Sequence, residues 1–265
     1  MAQSRQDAPP RTAMVTGAAS GIGRAIASLL SERGWQVHIC DADSDAIARM
    51  RDENPAIEAS VCDVCDVTRA AQTVEQMLEK TGGRLDLLVN NAGTSGMNAP
   101  LEEIDPDDWR RTLDVNVNGT FNFLRAAIPV MKRAGTGTIV NIASTAALFG
   151  YPNRSPYAAA KWALIGITKT LAMELGPHNI RVNAICPGSV EGPRIDGVIE
   201  RDARTRGVAP DEVRRLYEGQ VSMRRFVSAD DIARMCAFLA SDDAGMVSGQ
   251  IVAVDGHTET LSNPL

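Results

Sequence analysis

Short apolar runs alternate with stretches of helical periodicity from residue 13 to residue 254, and no other feature constrains the fold of this chain as tightly. The runs fall at residues 13–15, 36–40, 59–62, 85–89, 137–143, 181–186 and 250–254. Several are apolar at nearly every position, as strands covered on both faces must be. Helical patterns separate them. After the first run Ile22, Ala25, Ile26, Leu29 and Leu30 share one face, with Gly34 placed as a C-cap stop. Further patterns cover 68–80, 107–133, 156–175 and 229–241. Strands that need cover on both sides, spaced by helices, predict an α/β protein: a doubly wound parallel sheet of seven strands with helices on both faces.

A chain of 265 residues can close such a sheet as a single domain. At that length folding buries roughly three quarters of the surface the unfolded chain exposes. Residues 1–11, with two prolines, two arginines and no apolar run, read as a flexible N-terminal tail, and 12–265 as the domain. The least regular stretch is 188–225, rich in arginine, with one short helical pattern at 211–219. It follows the sixth strand, and ligands of such sheets bind outside the carboxyl ends of the strands, so it is placed to act as a substrate lid.

Between the first strand and the first helix lies Thr16, Gly17, Ala18, Ala19, Ser20, Gly21, Ile22, Gly23. Glycines here permit a tight turn, close backbone approach to a pyrophosphate, and close packing of helix on strand. The helix amino terminus then faces the phosphates with free N–H groups. This setting makes the sheet Rossmann-type. Asp41 ends the second strand, where a carboxylate can accept from both adenosine ribose hydroxyls and repels a 2′-phosphate; no Lys or Arg stands between Cys40 and Asp45 to attract one. The expected cofactor is therefore NAD in preference to NADP. Arg24 reads as a helix-surface charge, and the alternative reading of Asp41 is a solvated turn aspartate among Asp41, Asp43 and Asp45.

A formal charge of −6 argues against nucleic acid or an anionic membrane as a partner. No run of ~18 apolar residues offers a membrane span. Five cysteines, an odd number at low density, suit free thiols in a reducing cytoplasm. Cys62 and Cys65 form a C-x-x-C pair, but no second pair follows and His38, His178 and His257 are scattered, so no metal site is expected.

Tyr157 and Lys161 lie four apart in a helical pattern and share a face. Ser144 follows the fifth strand at its carboxyl end, and Asn116 stands in the 107–133 helix between Val115 and Val117, where a polar amide needs a reason.

With these residues the chain resembles the short-chain dehydrogenases and reductases from about Thr12 to Gly256. The turn matches T-G-x-x-x-G-x-G rather than the G-x-G-x-x-G of other dinucleotide folds. Asn90, Asn91, Ala92 and Gly93 match the motif after the fourth strand, Asn116, Ser144, Tyr157 and Lys161 the catalytic tetrad, and Pro187 and Gly188 the motif after the sixth strand. The resemblance implies cofactor contacts at Gly17, Ser20, Gly21, Ile22, Gly23, Asp41, Asp63, Val64, Asn90, Ala92, Gly93, Tyr157, Lys161, Pro187, Gly188 and Val190. It implies that Tyr157 is general base for alcohol oxidation and general acid for ketone reduction. Neutral-pH chemistry would need its pKa lowered by roughly 2–3 from the usual value of about 10. Lys161 would supply charge and bind the nicotinamide ribose, Ser144 would orient the substrate oxygen, and Asn116 would hold a water linking Lys161 to solvent.

Family resemblance further places substrate choice at Ser95, Thr145, Ala146, Tyr151, Asn153, Ser189, Val190, Glu191 and the lid. An inward arginine, with Arg194 first, could clamp an anion, whereas Asn153 and Glu191 equally suit a sugar or polyol. The expected reaction interconverts a secondary alcohol and a ketone, with a sugar, polyol or hydroxy acid as substrate. Two alternatives remain open: a 3-oxoacyl-carrier reductase, against which Asp41 speaks, and a cofactor-binding regulator without turnover, against which the intact tetrad speaks. The longer epimerase/dehydratase branch has a different glycine spacing. Members of the family commonly form symmetric dimers or tetramers through the 107–133 and 156–175 helices and the last strand, so a homo-oligomer is expected. The ending, 257–265, could reach a neighbouring subunit.

Overall fold

The computed structural model describes residues 9–258. Seven parallel strands stand in the order β3-β2-β1-β4-β5-β6-β7. They are β1 (Thr12–Thr16), β2 (Gln36–Asp41), β3 (Glu58–Val61), β4 (Leu87–Asn90), β5 (Gly137–Ile142), β6 (Ile180–Pro187) and β7 (Ile251–Val254). Every residue of β1, β4 and β5 is buried, as their largely apolar runs require. The order reverses between β1 and β4, and such a switch point opens a crevice at the carboxyl ends of the strands.

Helices cover both faces. On one lie α1 (Gly21–Glu32), α2 (Ser44–Glu53) and, beyond the lid, the helix at Ala229–Ala240, joined through Ile26, Leu30, Ile47, Ile232 and Leu239. On the other lie α3 (Val67–Lys80), α4 (Pro106–Leu113), α5 (Gly119–Ala134) and α6 (Ser155–Leu175), whose core centres on Val74, Met77, Phe123, Ala127 and Met131. The lid consists of α7 (Pro193–Arg206) and α8 (Pro210–Gly219), and the helix at Ala229–Ala240 is α9.

Several local expectations change. The fourth strand begins at Leu87 rather than Leu85, because Asp86 turns its carboxylate onto the Thr12 N–H (2.8 Å). α2 carried too few apolar residues to show periodicity, since only Ala46, Ile47 and Met50 are buried on it. Asp43 is its N-cap, accepting from the N–H groups of Asp45 and Ala46. The 107–133 helix is interrupted by a π turn at Asp114–Asn118. α7 was missed because its arginines obscure the stripe Ile195, Val198, Ile199, Ala203, which packs on Val213, Tyr217 and Phe226.

At the amino end, Arg11 is not free tail. It pairs with Asp242 at 2.5 Å and its guanidinium lies 5.6 Å over the Trp35 ring; the rest of the expected tail up to residue 8 lies outside the described residues. At the other end His257 and Thr258 fold back on the lid exit, with Val221 bridging Thr258 and the Ser222 hydroxyl 2.7 Å from His257 Nδ1. Residues 259–265, and with them the idea of a tail reaching a neighbour, lie outside the described residues. Among the described residues no helix is long and apolar enough to cross a membrane.

Candidate active site

The glycine turn sits at the switch point. Gly17 has φ +60°, and a Cβ on it would lie 2.6 Å from the Ala92 Cα. One on Gly23 would lie 2.5 Å from Asn91 Nδ2 and 2.6 Å from the Gly17 carbonyl. Both positions are glycine because the first helix and the loop after β4 press against the turn. A Cβ on Gly21 would meet nothing within 4 Å, so that residue faces open space. Ser20, the N-cap of α1, makes no side-chain capping bond, and the first turn carries no acid. Free first-turn N–H groups facing open space, with no acid in the first turn of the helix, fit a pyrophosphate. The Asn91 side chain fastens the loop, donating to the carbonyls of Thr16 (3.0 Å) and Gly17 (2.7 Å). Sequence reasoning quoted Asn91 as motif but gave it no role.

Asp41 lies beside this turn. One carboxylate oxygen accepts from the Ala19 N–H at 3.1 Å and the other from the Asp43 N–H at 3.2 Å. Arg24 is turned away, paired with Glu53 at 2.6 Å. Val64 is buried against Gly119, where a Cβ would come 2.5 Å from its Cγ2, and its carbonyl accepts from Asn122 (2.9 Å); Asp63 is exposed next to it. Asn90 is buried and donates to Asn141, which donates in turn to Thr168, so it ties β4 to β5 and α6. Pro187 ends β6, and Gly188 follows under Asp255, with no room for a Cβ (2.8 Å).

Four side chains then converge. Ser144 caps the short turn after β5 through its Oγ, which accepts from the Ala146 N–H at 3.1 Å. Tyr157 and Lys161 stand one turn apart on α6, with the ammonium 5.7 Å from the ring centroid. Lys161 is 4% exposed and donates to the Ile142 carbonyl at 2.9 Å. Asn116 is fully buried in the π turn. Its Nδ2 donates to Thr94 O (2.9 Å) and Thr112 O (2.8 Å), and its Oδ1 has no partner among the described residues. Because Asn116 takes the Thr112 carbonyl, the ordinary i→i−4 bond there is displaced, which accounts for the π turn and for a buried amide among valines. Gly93 holds the group together: a Cβ there would lie 2.6 Å from Asn116 Oδ1 and 3.3 Å from Lys161 Nζ.

Burial is the largest influence on Tyr157 and opposes ionisation. The Lys161 charge, with Arg194, a hydrogen bond from Ser144 and Arg154 adding to it, outweighs burial and holds the phenol below its ordinary range. Lys161 is itself lowered, mainly by burial and further by Arg194, against the opposing influence of Tyr157. The cluster can thus present an oxygen that loses a proton more readily than a free phenol, closer to the neutral range where it can serve in both directions.

The other expected substrate residues divide. Ala146, next to Thr145, donates its N–H to Ser144, Ser95 offers its carbonyl to Arg154, and Tyr151 lies within charge reach of Tyr157; burial pushes the Tyr151 phenol up to about 12, with Tyr217 next in influence, so it stays a neutral donor. Tyr217 belongs to α8 of the lid, and its influence reaches Tyr151 together with that of Tyr157. Asn153 is exposed in a left-handed conformation (φ +60°), and its carbonyl accepts from Ala99. Glu191 is engaged by Arg214 at 3.1 Å, and the same guanidinium reaches Asp196 (2.7 Å) and lies 5.0 Å over Phe226. That network fastens the lid. Val190, bridged to Val227, anchors the lid's base. Arg194 has no ion pair among the described residues, and its charge reaches Tyr157 and Lys161. Sequence reasoning missed Arg154, three residues before Tyr157 and 4% exposed; an arginine beside a proline and an asparagine in a turn gave no sign of burial.

A family model described as Enoyl-(Acyl carrier protein) reductase matches residues 17–257. The chain is 38% identical over 265 residues to the trans-4-hydroxycyclohexanecarboxylate dehydrogenase of Sinomonas cyclohexanicum, covering 96% of this chain and 95% of that protein. Among solved structures it is similar to NAD+-bound xylitol dehydrogenase (TM-score 0.88, 34% identity, 93% of this chain and 98% of that one). It is equally similar to an actinorhodin polyketide ketoreductase variant with NADPH (TM-score 0.89, 34% identity, 93% and 96%).

Proposed function

The chain belongs to the short-chain dehydrogenase/reductase family, whose members act on alcohol and ketone groups, and within it we propose an NAD(H)-dependent enzyme that interconverts a secondary alcohol and a ketone with Tyr157 as acid and base. The observation that carries this reading is the Tyr157–Lys161 pair, with the ammonium 5.7 Å from the ring and the phenol held below its ordinary range. In oxidation Tyr157 Oη takes the hydroxyl proton of the substrate, and in reduction it returns it. Ser144 Oγ donates to the substrate oxygen and fixes its approach. Lys161 stabilises the phenolate and would hold the nicotinamide ribose. Asn116, through Oδ1, would accept from a water that passes the proton between Lys161 and solvent. The nicotinamide, when bound, supplies the hydride acceptor or donor.

NAD over NADP rests on Asp41. Its carboxylate already accepts from Ala19 in the turn, and a 2′-phosphate beside it would meet like charge. The NADPH-bound neighbour makes this the finer part of the proposal. Residues 188–225 serve as the substrate lid, pinned at Val190–Val227 and by Arg214. Exposed Phe121 on α5 and Trp162 and Met173 on α6 (51% and 82% exposed for the latter two) suit burial against a second copy, so we propose a homo-oligomer through these helices. The free cysteines suit a reducing compartment such as the cytoplasm.

The test is NADH formation from NAD, with NADP in parallel, across hydroxy acids, polyols, sugars and cyclic secondary alcohols. The proposal expects turnover with NAD that Tyr157→Phe abolishes while cofactor binding persists. A Phe variant that retains turnover would remove Tyr157 from the chemistry. NAD binding without turnover on any class would favour the regulator.

A further inference from the structure

We propose that Arg154 is a carboxylate anchor, so that the substrate is a small hydroxy acid bound by its carboxylate to Arg154 while its hydroxyl faces Tyr157 and Ser144. This rests on the reading of Tyr157 and Ser144 as the alcohol-binding pair and narrows the substrate to one chemical class. A guanidinium is costly to bury unless its charge and its donors are met. Arg154 is 4% exposed, yet among the described residues no carboxylate lies within ion-pair distance of it. Its hydrogen bonds are two long ones, both from Nη1, to the carbonyls of Ser95 and Gly96 at 3.4 Å. Nε and Nη2 donate to no described residue. That free edge is the one that binds a carboxylate with two parallel bonds.

The position suits a substrate rather than a structural partner. Arg154 is the N-cap of α6 and makes no side-chain capping bond, and the helix terminus adds to the attraction for an anion. Its guanidinium lies 5.9 Å from the Tyr151 ring, and its charge reaches both Tyr151 and Tyr157. It stands three positions before Tyr157, about 4.5 Å of helical rise, so one molecule with a short carbon spacer between hydroxyl and carboxylate can span both. Arg194, exposed on α7, places a second positive charge on the lid side. Asp202, whose charge also reaches Tyr151, is paired through Oδ1 with Arg206 at 2.8 Å, and its Oδ2 is buried without a hydrogen-bond partner among the described residues.

The experiment compares trans-4-hydroxycyclohexanecarboxylate and 3-hydroxybutanoate with their methyl esters, in the wild type, R154Q and R154K, with NAD. The wild type should favour acid over ester in kcat/KM. R154Q should lower that ratio by roughly ten- to hundredfold, chiefly through KM, and R154K should restore part of it. A merely structural role would lower acid and ester together and leave the ratio alone, which would overturn the proposal. Calorimetric titration of cyclohexanecarboxylate into the wild type with NAD supplies a readout that needs no turnover: binding lost in R154Q supports the anchor, and no binding in the wild type overturns it. If the wild type oxidises neutral alcohols in a Tyr157-dependent manner but gains nothing from a carboxylate, the anchor fails and the dehydrogenase reading stands. Turnover surviving Tyr157→Phe would instead bring down the reading beneath it.

Discussion

Gly93→Ala separates steric support of the site from every other influence, because Gly93 has an ordinary φ and the substitution adds one methyl group and no backbone strain. That methyl would stand 2.6 Å from Asn116 Oδ1 and 3.3 Å from Lys161 Nζ. The first distance is too short to persist. If Asn116 swings away, it gives up the bonds to Thr94 O and Thr112 O, each with a net value of about 1 kcal/mol. If the backbone moves instead, the loop after β4 is driven against Gly17, which already lies close to Ala92. Either route costs about 1–3 kcal/mol, offset by about 0.4–1 kcal/mol from the stiffer unfolded chain. A net loss of ~1–2 kcal/mol should lower Tm by roughly 2–8 °C for a chain of this size. Lys161 must also shift, and the phenol then loses part of the charge that opposes burial, so kcat for oxidation near neutral pH should fall about tenfold or more.

Thermal unfolding without cofactor and kcat as a function of pH measure the two effects. Gly150→Ala is the control, since a Cβ there meets nothing within 4 Å and φ is ordinary. A Gly93→Ala protein with the control's Tm and kcat would refute the argument. Weaker NAD binding at unchanged Tm would also refute it, because the clash would then be with cofactor and not with Asn116.

Asp41→Ala should narrow the preference for NAD over NADP, read as the ratio of kcat/KM; an unaltered ratio would mean the ribose is recognised elsewhere. Oxidation needs the phenolate, so kcat/KM should rise with pH through an apparent pKa below 10, and reduction should fall through the same value. Arg194→Gln removes a charge that lowers Tyr157 and should move that limb to higher pH by roughly half a unit, since an exposed charge contributes about 1 kcal/mol or less; the same change lets Lys161 stay protonated longer, which trims the shift. A displacement to lower pH would contradict the assignment. Trp162→Glu on α6 should reduce the molar mass measured by light scattering, and an unchanged mass would exclude that face from the interface.

The frame was legible because its signal is redundant. Each buried strand is apolar at most positions, and most of the helices facing them repeat their apolar residues over three or more turns, so a misread residue does not change the order of elements. Where one residue decides the outcome, the sequence is ambiguous. Asp43 looks like any turn aspartate until Asp45 and Ala46 are seen donating to it. Asn116 could be marked as needing a reason, but not the whole reason, because besides the Thr112 carbonyl in its own helix its amide is held by the Thr94 carbonyl, which lies 22 residues away. The arginines show the same limit more sharply. Arg194 and Arg214 sit in one charged segment, and nothing local to either tells which one the fold pairs: three carboxylates hold Arg214, and no described carboxylate pairs with Arg194. Arg154 stands in a polar turn of Pro152, Asn153 and Ser155, where composition indicates solvent. It is buried because the loop at Ser95 and Gly96 closes over it from 58 residues earlier. Local pattern reports which residues a helix or strand must bury; it carries no record of which surface loop folds over which charge, and specificity in this fold is set by those loops.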